Sequence, residues 1–239
     1  MEQSIIDVLR EHTAREYPRE ACGVICRSGG QLRYFPCLNT ASDPADHFTI
    51  NPEDYARAED WGEVIGIFHS HPDATSRPSE TDKAQCDLTE LPWHILSWPE
   101  GDLRTIYPRD ELPLIDRPFV LGVYDCWGLI MSYYRQEHGI ELHDYRVNYH
   151  WWEEGHAENF YQDCWYEAGF REFAGPPQPG DMVIMQVSAP RWNHAGILLD
   201  GNMLLHHLYG HQSGRTPYGG YWRERTMKIV RHKDLMGEV

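Results

Sequence analysis

Apolar residues in the first half of the chain recur with the periods expected of short helices and strands. Residues 3–16 are predicted to be a helix, because their apolar side chains fall on one helical face. A second helix is predicted over 51–60, where Asn51 can serve as N-cap and Pro52 takes the first helical position. Strands are predicted over 21–26, 31–39, 63–69, 92–98 and 103–107, and another helix is expected to start at Ser79. This order predicts an α/β fold with a small mixed sheet and flanking helices.

The second half has a different pattern, in which one helix precedes a group of strands. Asp125 can cap a helix that begins at Cys126 and is stopped by Gly139, and strands are predicted over 182–187, 193–199 and 203–209. The last two strands can form a hairpin across residues 200–202. A polar segment with two prolines at 109–118 separates the halves. We therefore predict two domains, over 1–112 and 113–239, with the second built as α+β.

The composition is that of a folded globular protein, since 41% of the 239 residues are hydrophobic and 24% are charged. A formal net charge of −16 disfavours nucleic acid and anionic membrane surfaces as partners. No apolar run approaches the roughly 18 residues that cross a bilayer, and the first residues lack an apolar signal segment. We therefore expect synthesis in a cytoplasm and no membrane insertion. The six cysteines include no CxxC pair, so free thiols are expected.

A possible metal site follows the apolar strand at 63–69. His69 and His71 lie two residues apart on extended backbone and so point to the same face, and Asp82 lies one turn into the helix that starts near Ser79. Two imidazoles and one carboxylate, with a fourth position left for water, form the ligand set of a catalytic zinc site. Each fragment also has a simpler interpretation, because an HxH pair can arise by chance and Ser79 with Asp82 fits an ordinary capping box.

Taken together, the pattern HxHx(7)SxxD at 69–82 resembles the motif of the JAMM (Mov34/MPN) metalloproteases. Glu20, which precedes the strand at 21–26, stands where that family has a glutamate. The resemblance implies that Zn²⁺ is bound by His69, His71 and Asp82, that Glu20 is the general base, and that Ser79 helps to hold the oxyanion. It also implies hydrolysis of a peptide or isopeptide bond.

A second possible site centres on a thiol. Cys126 begins a predicted helix, whose positive end lowers a thiol pKa and favours thiolate near neutral pH, although a cysteine there is often only a small buried residue. His194 on a distant strand, with a polar residue on the paired strand, would complete a nucleophile, base and orienting group. The sequence DCWGL at 125–129 and HAGI at 194–197 resemble the blocks of the papain-like NlpC/P60 cysteine peptidases.

The orienting group and the oxyanion donor stay open at this point. The family places its third polar residue twelve positions after the histidine, which here is His206. A three-residue turn at 200–202 also favours His206, whereas a two-residue turn favours His207. Tyr124 could donate to the oxyanion, or it could only pack in a strand. The aromatic run at 149–152 could line a groove for a saccharide-linked peptide, although packing is the simpler interpretation.

A JAMM domain followed directly by an NlpC/P60 domain resembles the tail-tip assembly proteins of lambda-type siphophages. That resemblance implies other phage tail-tip proteins and peptidoglycan stem peptides as partners. It implies residence in the host cytoplasm during assembly and then in the tail tip, with possible delivery to the periplasm. The alternative is a structural assembly factor whose two sites are vestigial. A free bacterial isopeptidase is a third hypothesis, which the wall-type second domain disfavours.

Overall fold

The computed structural model describes residues 1–237 and divides into two compact units, Met1–Asp110 and a second that starts at Glu111. The helices are α1 (Gln3–Glu16), α2 (Pro52–Trp61), α3 (Glu80–Thr89), α4 (Cys126–His138), α5 (Phe160–Asp163) and α6 (Gly220–Glu224). The strands are β1 (Cys22–Ser28), β2 (Gln31–Cys37), β3 (Glu63–Pro72), β4 (Trp93–Trp98), β5 (Leu103–Ile106), β6 (Phe170–Arg171), β7 (Met182–Met185), β8 (His194–Leu199), β9 (Met203–His206), β10 (Gly214–Pro217) and β11 (Thr226–His232).

The first unit is a five-stranded sheet of order β2-β1-β3-β4-β5 with helices on both faces. Strands β3 and β4 run parallel and the other pairs run antiparallel, which confirms the predicted mixed sheet. Leu9 of α1 packs with Phe68 on one face, while Ala58 of α2 and Cys86 of α3 pack with Ile67 on the other. Phe68 and Ile67 are consecutive in β3, so the strand alternates between two cores.

The predicted starts of α2 and α3 are confirmed by their caps. The Asn51 side chain accepts hydrogen bonds from the backbone N–H groups of Glu53 and Asp54, at 2.9 and 3.2 Å. Ser79 caps α3 with a complete capping box, in which its side chain and that of Asp82 each accept from the other's backbone N–H. These bonds satisfy N–H groups that the first helical turn would otherwise leave unpaired.

The second unit is a six-stranded antiparallel sheet of order β10-β9-β8-β7-β11-β6, on which α4 packs. Asp125 caps α4 by accepting from the Gly128 N–H at 2.8 Å, and Gly139 ends it in the left-handed conformation with φ of 66°. Both ends of this helix were predicted. Gly128 allows the first turn of α4 to lie close to the backbone of Val123, because a Cβ at residue 128 would lie 2.2 Å from the Val123 carbonyl oxygen.

The hairpin register, on which the choice of orienting histidine depends, follows the three-residue turn. Leu199 pairs with Met203 and Gly196 pairs with His206, while residues 200–202 form the turn.

Strands β6, β10 and β11 were not anticipated, although β11 lies inside the sheet between β7 and β6. All six cysteines are free thiols, as expected. Within residues 1–237, no helix has the length and apolarity needed to span a bilayer.

Candidate active sites

The predicted metal ligands converge at the end of β3. Nε2 of His69 lies 3.0 Å from Nε2 of His71, and the Asp82 carboxylate oxygens lie 3.2 Å from the former nitrogen and 3.5 Å from the latter. One ligand atom from each of the three residues falls within 4.8 Å of the others. This arrangement arises because the two histidines share one face of β3 and the first turn of α3 brings the carboxylate across from them.

Glu20 reaches the same place through the pairing of β1 with β3. Cys22 pairs with His69, and the Ser70 N–H donates to the Ala21 carbonyl at 3.0 Å, so the chain before β1 runs toward His71. Glu20 is only 6% exposed. Burial raises the pKa of its carboxyl to about 8; the nearby His71 opposes this rise and the Asp82 carboxylate adds to it.

Several neighbours hold the ligands in place. Nδ1 of His71 donates to the Thr75 carbonyl oxygen at 2.8 Å, which fixes the ring with Nε2 toward Asp82. The His69 ring stacks on Phe48 with centroids 4.7 Å apart and meets the edge of Trp93 at 5.5 Å. Nδ1 of His69 is buried without a hydrogen-bond partner, so ring packing and the contacts of Nε2 with His71 and Asp82 hold that imidazole.

The donor set fits a divalent cation of the zinc type. Burial works against the charged form of Asp82, yet the hydrogen bonds from His69 and His71 hold its pKa well below the usual range. An ionised carboxylate and two converging imidazole nitrogens are the donors that zinc prefers. Ser79 lies beside them, where its backbone N–H donates to the Asp82 carboxylate at 2.7 Å.

The second site lies on the wall of a cavity of about 410 Å³ in the second unit. Cys126 and His194 both line this cavity, together with the indole rings of Trp127, Trp151, Trp152 and Trp165. The aromatic run at 149–152 therefore contributes to the cavity through its last three residues, and Trp151 also packs in the core. An apolar cavity with a few polar groups is the usual form of a ligand site.

The three histidines of the hairpin have different surroundings. Nε2 of His194 lies 3.0 Å from Nδ1 of His206, whose Nε2 lies 3.2 Å from the Thr216 hydroxyl. His207 also lines the cavity, but it makes no hydrogen bond to His194, and its ring meets the edge of Phe119 at 5.1 Å. Both ring nitrogens of His207 are buried without a hydrogen bond of good geometry. The structure thus brings His206, and not His207, to His194.

The electrostatics of the thiol differ from the sequence-based expectation. Burial, with a smaller contribution from the Asp125 carboxylate, raises the pKa of Cys126 to about 12, so the predicted lowering by the helix terminus is wrong. Burial, together with His206 and His207, holds the pKa of His194 well below its usual range. In residues 1–237, no hydrogen bond joins the thiol to His194. The resting site is therefore a neutral thiol near a neutral imidazole.

Comparison with known proteins shows the family. Tail tip assembly protein K of Escherichia phage N15 is 70% identical over 237 residues, which cover 99% of this chain and 98% of that protein. The chain belongs to the tail tip assembly protein K family. Tail tip assembly protein K of Escherichia phage lambda is 33% identical over 186 residues, or 77% of this chain and 89% of that protein. The resemblance to phage tail-tip proteins is thereby confirmed.

Each half of this family member also matches a domain family. Residues 2–107 match the prokaryotic homologs of the JAB domain, and residues 116–231 match the NlpC/P60 family. A desampylase of Haloferax volcanii is 29% identical over 106 residues, which cover 41% of this chain and 76% of that protein. These matches and the two sheets confirm the predicted fold classes, a JAB/MPN-like mixed sheet followed by an NlpC/P60-like antiparallel sheet.

Tyr161 was not among the residues singled out from the sequence, whereas Tyr124 was. The structure gives these two tyrosines different surroundings. The Tyr161 hydroxyl lies 3.1 Å from the Cys126 sulphur. The Tyr124 ring instead has the Arg117 guanidinium 5.9 Å from its centroid, and Tyr124 is not among the residues that line the cavity. Neither Tyr161 nor Thr216 belongs to a motif block, so no local signal in the sequence singled them out.

Proposed function

We propose that this chain is a phage tail-tip protein with two hydrolase sites, a zinc-dependent (iso)peptidase in the first unit and a cysteine endopeptidase in the second. The observation that carries the proposal is the convergence of a full set of reactive side chains in each unit. His69, His71 and Asp82 meet beside the buried Glu20, and Cys126 shares a cavity with His194.

In the first site, His69, His71 and Asp82 would hold Zn²⁺. The ion would supply a positive charge that polarises the scissile carbonyl and acidifies a water. Glu20 would take the proton of the attacking water and return it to the leaving amine. Its raised pKa of about 8 suits a group that must both accept and release a proton near neutral pH. The Ser79 hydroxyl lies next to Asp82 and can donate to the developing oxyanion.

We propose a protein partner, rather than a wall peptide, as the substrate of the first site. Residues 1–112 hold 10 basic and 21 acidic side chains, and such a surface favours a basic polypeptide over acid-rich stem peptides. The test is to compare the lengths of tail proteins from infections with wild-type phage and with a Glu20→Gln phage. Unprocessed tail proteins in the variant support the proposal, and identical lengths would refute it.

In the second site, the thiol proton of Cys126 passes to His194. Because Nε2 of His194 is engaged by His206, the nitrogen that receives this proton is Nδ1. The sulphur then attacks the scissile carbonyl carbon, and the tetrahedral adduct collapses to a thioester as His194 protonates the leaving amine. Water hydrolyses the thioester. We propose the bond between D-glutamate and diaminopimelate in the stem peptide as the substrate.

Digestion of purified sacculi tests the second site, with the released peptides separated by chromatography. Wild-type protein should release peptides and Cys126→Ala should release none, while retaining the fold because alanine nearly fills the same space. Equal release from both proteins would remove this site from the proposal. Wall cleavage also requires a route to the periplasm, and we propose that the chain is assembled in the host cytoplasm and carried there in the tail tip.

A structural assembly factor with vestigial sites is the second candidate. It is favoured by the neutral state of the half-buried Cys126 thiol, which is hydrogen-bonded to Tyr161. Retention of a complete set of reactive groups in both units argues against it. The two candidates differ in the sacculus assay and in the tail-protein assay, because a structural factor is inactive in both.

A further inference from the structure

Tyr161 is the side chain that reaches the candidate nucleophile. Its Oη lies 3.1 Å from Sγ of Cys126, and both residues line the same cavity. Tyr161 is 6% exposed and comes from α5, 35 residues away from the nucleophile in sequence. Its ring meets Trp127 and Trp151 with both centroid distances at 6.1 Å, so the hydroxyl is held in place by packing.

The sulphur has few groups that favour its charged form. Burial disfavours the thiolate, and the adjacent Asp125 carboxylate disfavours it further. The opposing groups are the Tyr161 hydroxyl and backbone N–H groups of Ala195 and Trp127. His194, on β8, is uncharged in the resting site and therefore adds no positive charge.

The direction of the Tyr161 hydrogen bond follows from the chemistry of the pair. A thiolate has no proton and can only accept a hydrogen bond. Burial and the neighbouring thiol raise the pKa of Tyr161 well above its usual value, so the phenol keeps its proton. When Cys126 ionises, the hydroxyl must therefore be the donor. Hydrogen bonds to an ionised partner are about twice as strong as those between neutral groups.

We propose that Tyr161 is a catalytic residue that donates a hydrogen bond to the ionised sulphur of Cys126 and so makes the nucleophile available inside an apolar cavity. This inference rests on the function proposed for the thiol site. No proton leaves the tyrosine, because His194 takes the thiol proton.

The test measures the thiolate directly, by the rate at which iodoacetamide alkylates Cys126 in the full chain. The modified peptide is quantified by mass spectrometry between pH 7 and 10. A hydrogen bond to a charged group is worth about 1.5–3 kcal/mol, so Tyr161→Phe should slow alkylation at pH 8 by about 10- to 160-fold. Tyr133→Phe is the matched control, because Tyr133 is a buried tyrosine of α4 in the same core. It should alkylate at the wild-type rate.

A second variant covers the case in which Tyr161→Phe fails to fold. Replacement of Tyr161 by 3-fluorotyrosine keeps the ring and makes the hydroxyl a better donor, so alkylation at pH 8 should become faster than in the wild type. An unchanged rate in folded Tyr161→Phe, or in the fluorotyrosine protein, would overturn the proposal. Alkylation needs no peptidoglycan. A protein that shows these rate changes but leaves sacculi intact would contradict the proposed endopeptidase function and not the role of Tyr161.

Discussion

The two candidate sites differ in how far apart their residues lie along the chain. The metal ligands His69, His71 and Asp82 come from one strand and the start of the next helix. The thiol site draws Cys126 from α4 and His194 from β8, and it adds groups from α5 and β9. The first site is therefore mostly local in sequence, and the second depends on the packing of the whole unit.

The sites also differ in how their charges are balanced. Asp82 faces two imidazoles, which lower its pKa despite its burial, so the first site holds a negative charge ready for a cation. The thiol site contains a neutral sulphur and neutral histidines, because burial disfavours both charged forms. A site of the first kind is preorganised for an ion, whereas a site of the second kind must create its charges during the reaction and needs donors that stabilise them.

The prediction with the largest expected effect concerns the negative charge of the Asp82 carboxylate in the first site. The purified protein should hold about one zinc per chain, and Asp82→Asn should hold almost none, because a neutral amide is a poor ligand for the ion. Glu20→Gln should keep the metal and lose turnover, since a base is not a ligand. Metal analysis by mass spectrometry measures both variants. Unchanged zinc in Asp82→Asn would show that the ion is held elsewhere.

The second prediction concerns the long-range contact between β8 and β9. Loss of the His194–His206 hydrogen bond in His206→Ala should lower the rate of stem-peptide cleavage by about 100-fold, as for an orienting group of a catalytic base. His207→Ala should lower it only slightly, because that ring points to Phe119. Peptide release from sacculi by the two variants is the measurement. The reverse order of effects would mean that His207 orients the base.

The third prediction tests how α4 is positioned. Gly128→Ala should destabilise the protein by about 3 kcal/mol or more, because the added Cβ would lie 2.2 Å from the Val123 carbonyl oxygen, which is backbone and cannot move aside cheaply. Gly139→Ala is the matched control at the other end of the helix. No atom lies within 4 Å of its added Cβ, so only the left-handed φ of 66° costs about 1 kcal/mol. Urea unfolding measures both free energies.

The fourth prediction tests whether His207 of the second unit is uncharged in the folded protein. Burial lowers the pKa of His207 from 6.5 to about 4 in the folded protein. As the pH falls, the His207 imidazole therefore takes up a proton at a higher pH in the unfolded chain than in the folded protein. The stability due to this group is complete above pH 6.5 and is lost between pH 6.5 and 4. The loss at pH 5 is about 2 kcal/mol. Between pH 7 and 5, the free energy of unfolding should fall by about 2 kcal/mol more in the wild type than in His207→Leu, as measured by urea unfolding. Equal losses in the two proteins would contradict the buried, neutral state of His207.

The sequence by itself determined the elements of the first unit, α4 and the strands β7 to β9 of the second, and most of the candidate site residues. The capping box at Ser79, the Asn51 and Asp125 caps and the apolar run of β3 are local patterns, and each predicts backbone geometry within a few residues. The HxHx(7)SxxD spacing belongs to the same class, because one strand and one helix start bring those ligands together. Strand β11 was not anticipated, although it lies inside the sheet, where its neighbours β7 and β6 decide its pairing.

Only the tertiary structure decided which groups surround the thiol and how readily it ionises. Tyr161 and Thr216 carry no signal in the sequence, because their contacts with Cys126 and His206 join segments that meet only when the sheet and α4 pack. The helix terminus stabilises a thiolate by about 0.3–1 kcal/mol, whereas burial of a charged group can shift a pKa by 3 or more units, or about 4 kcal/mol. Burial is the larger effect, and it depends on the packing of the complete unit rather than on any local pattern of residues.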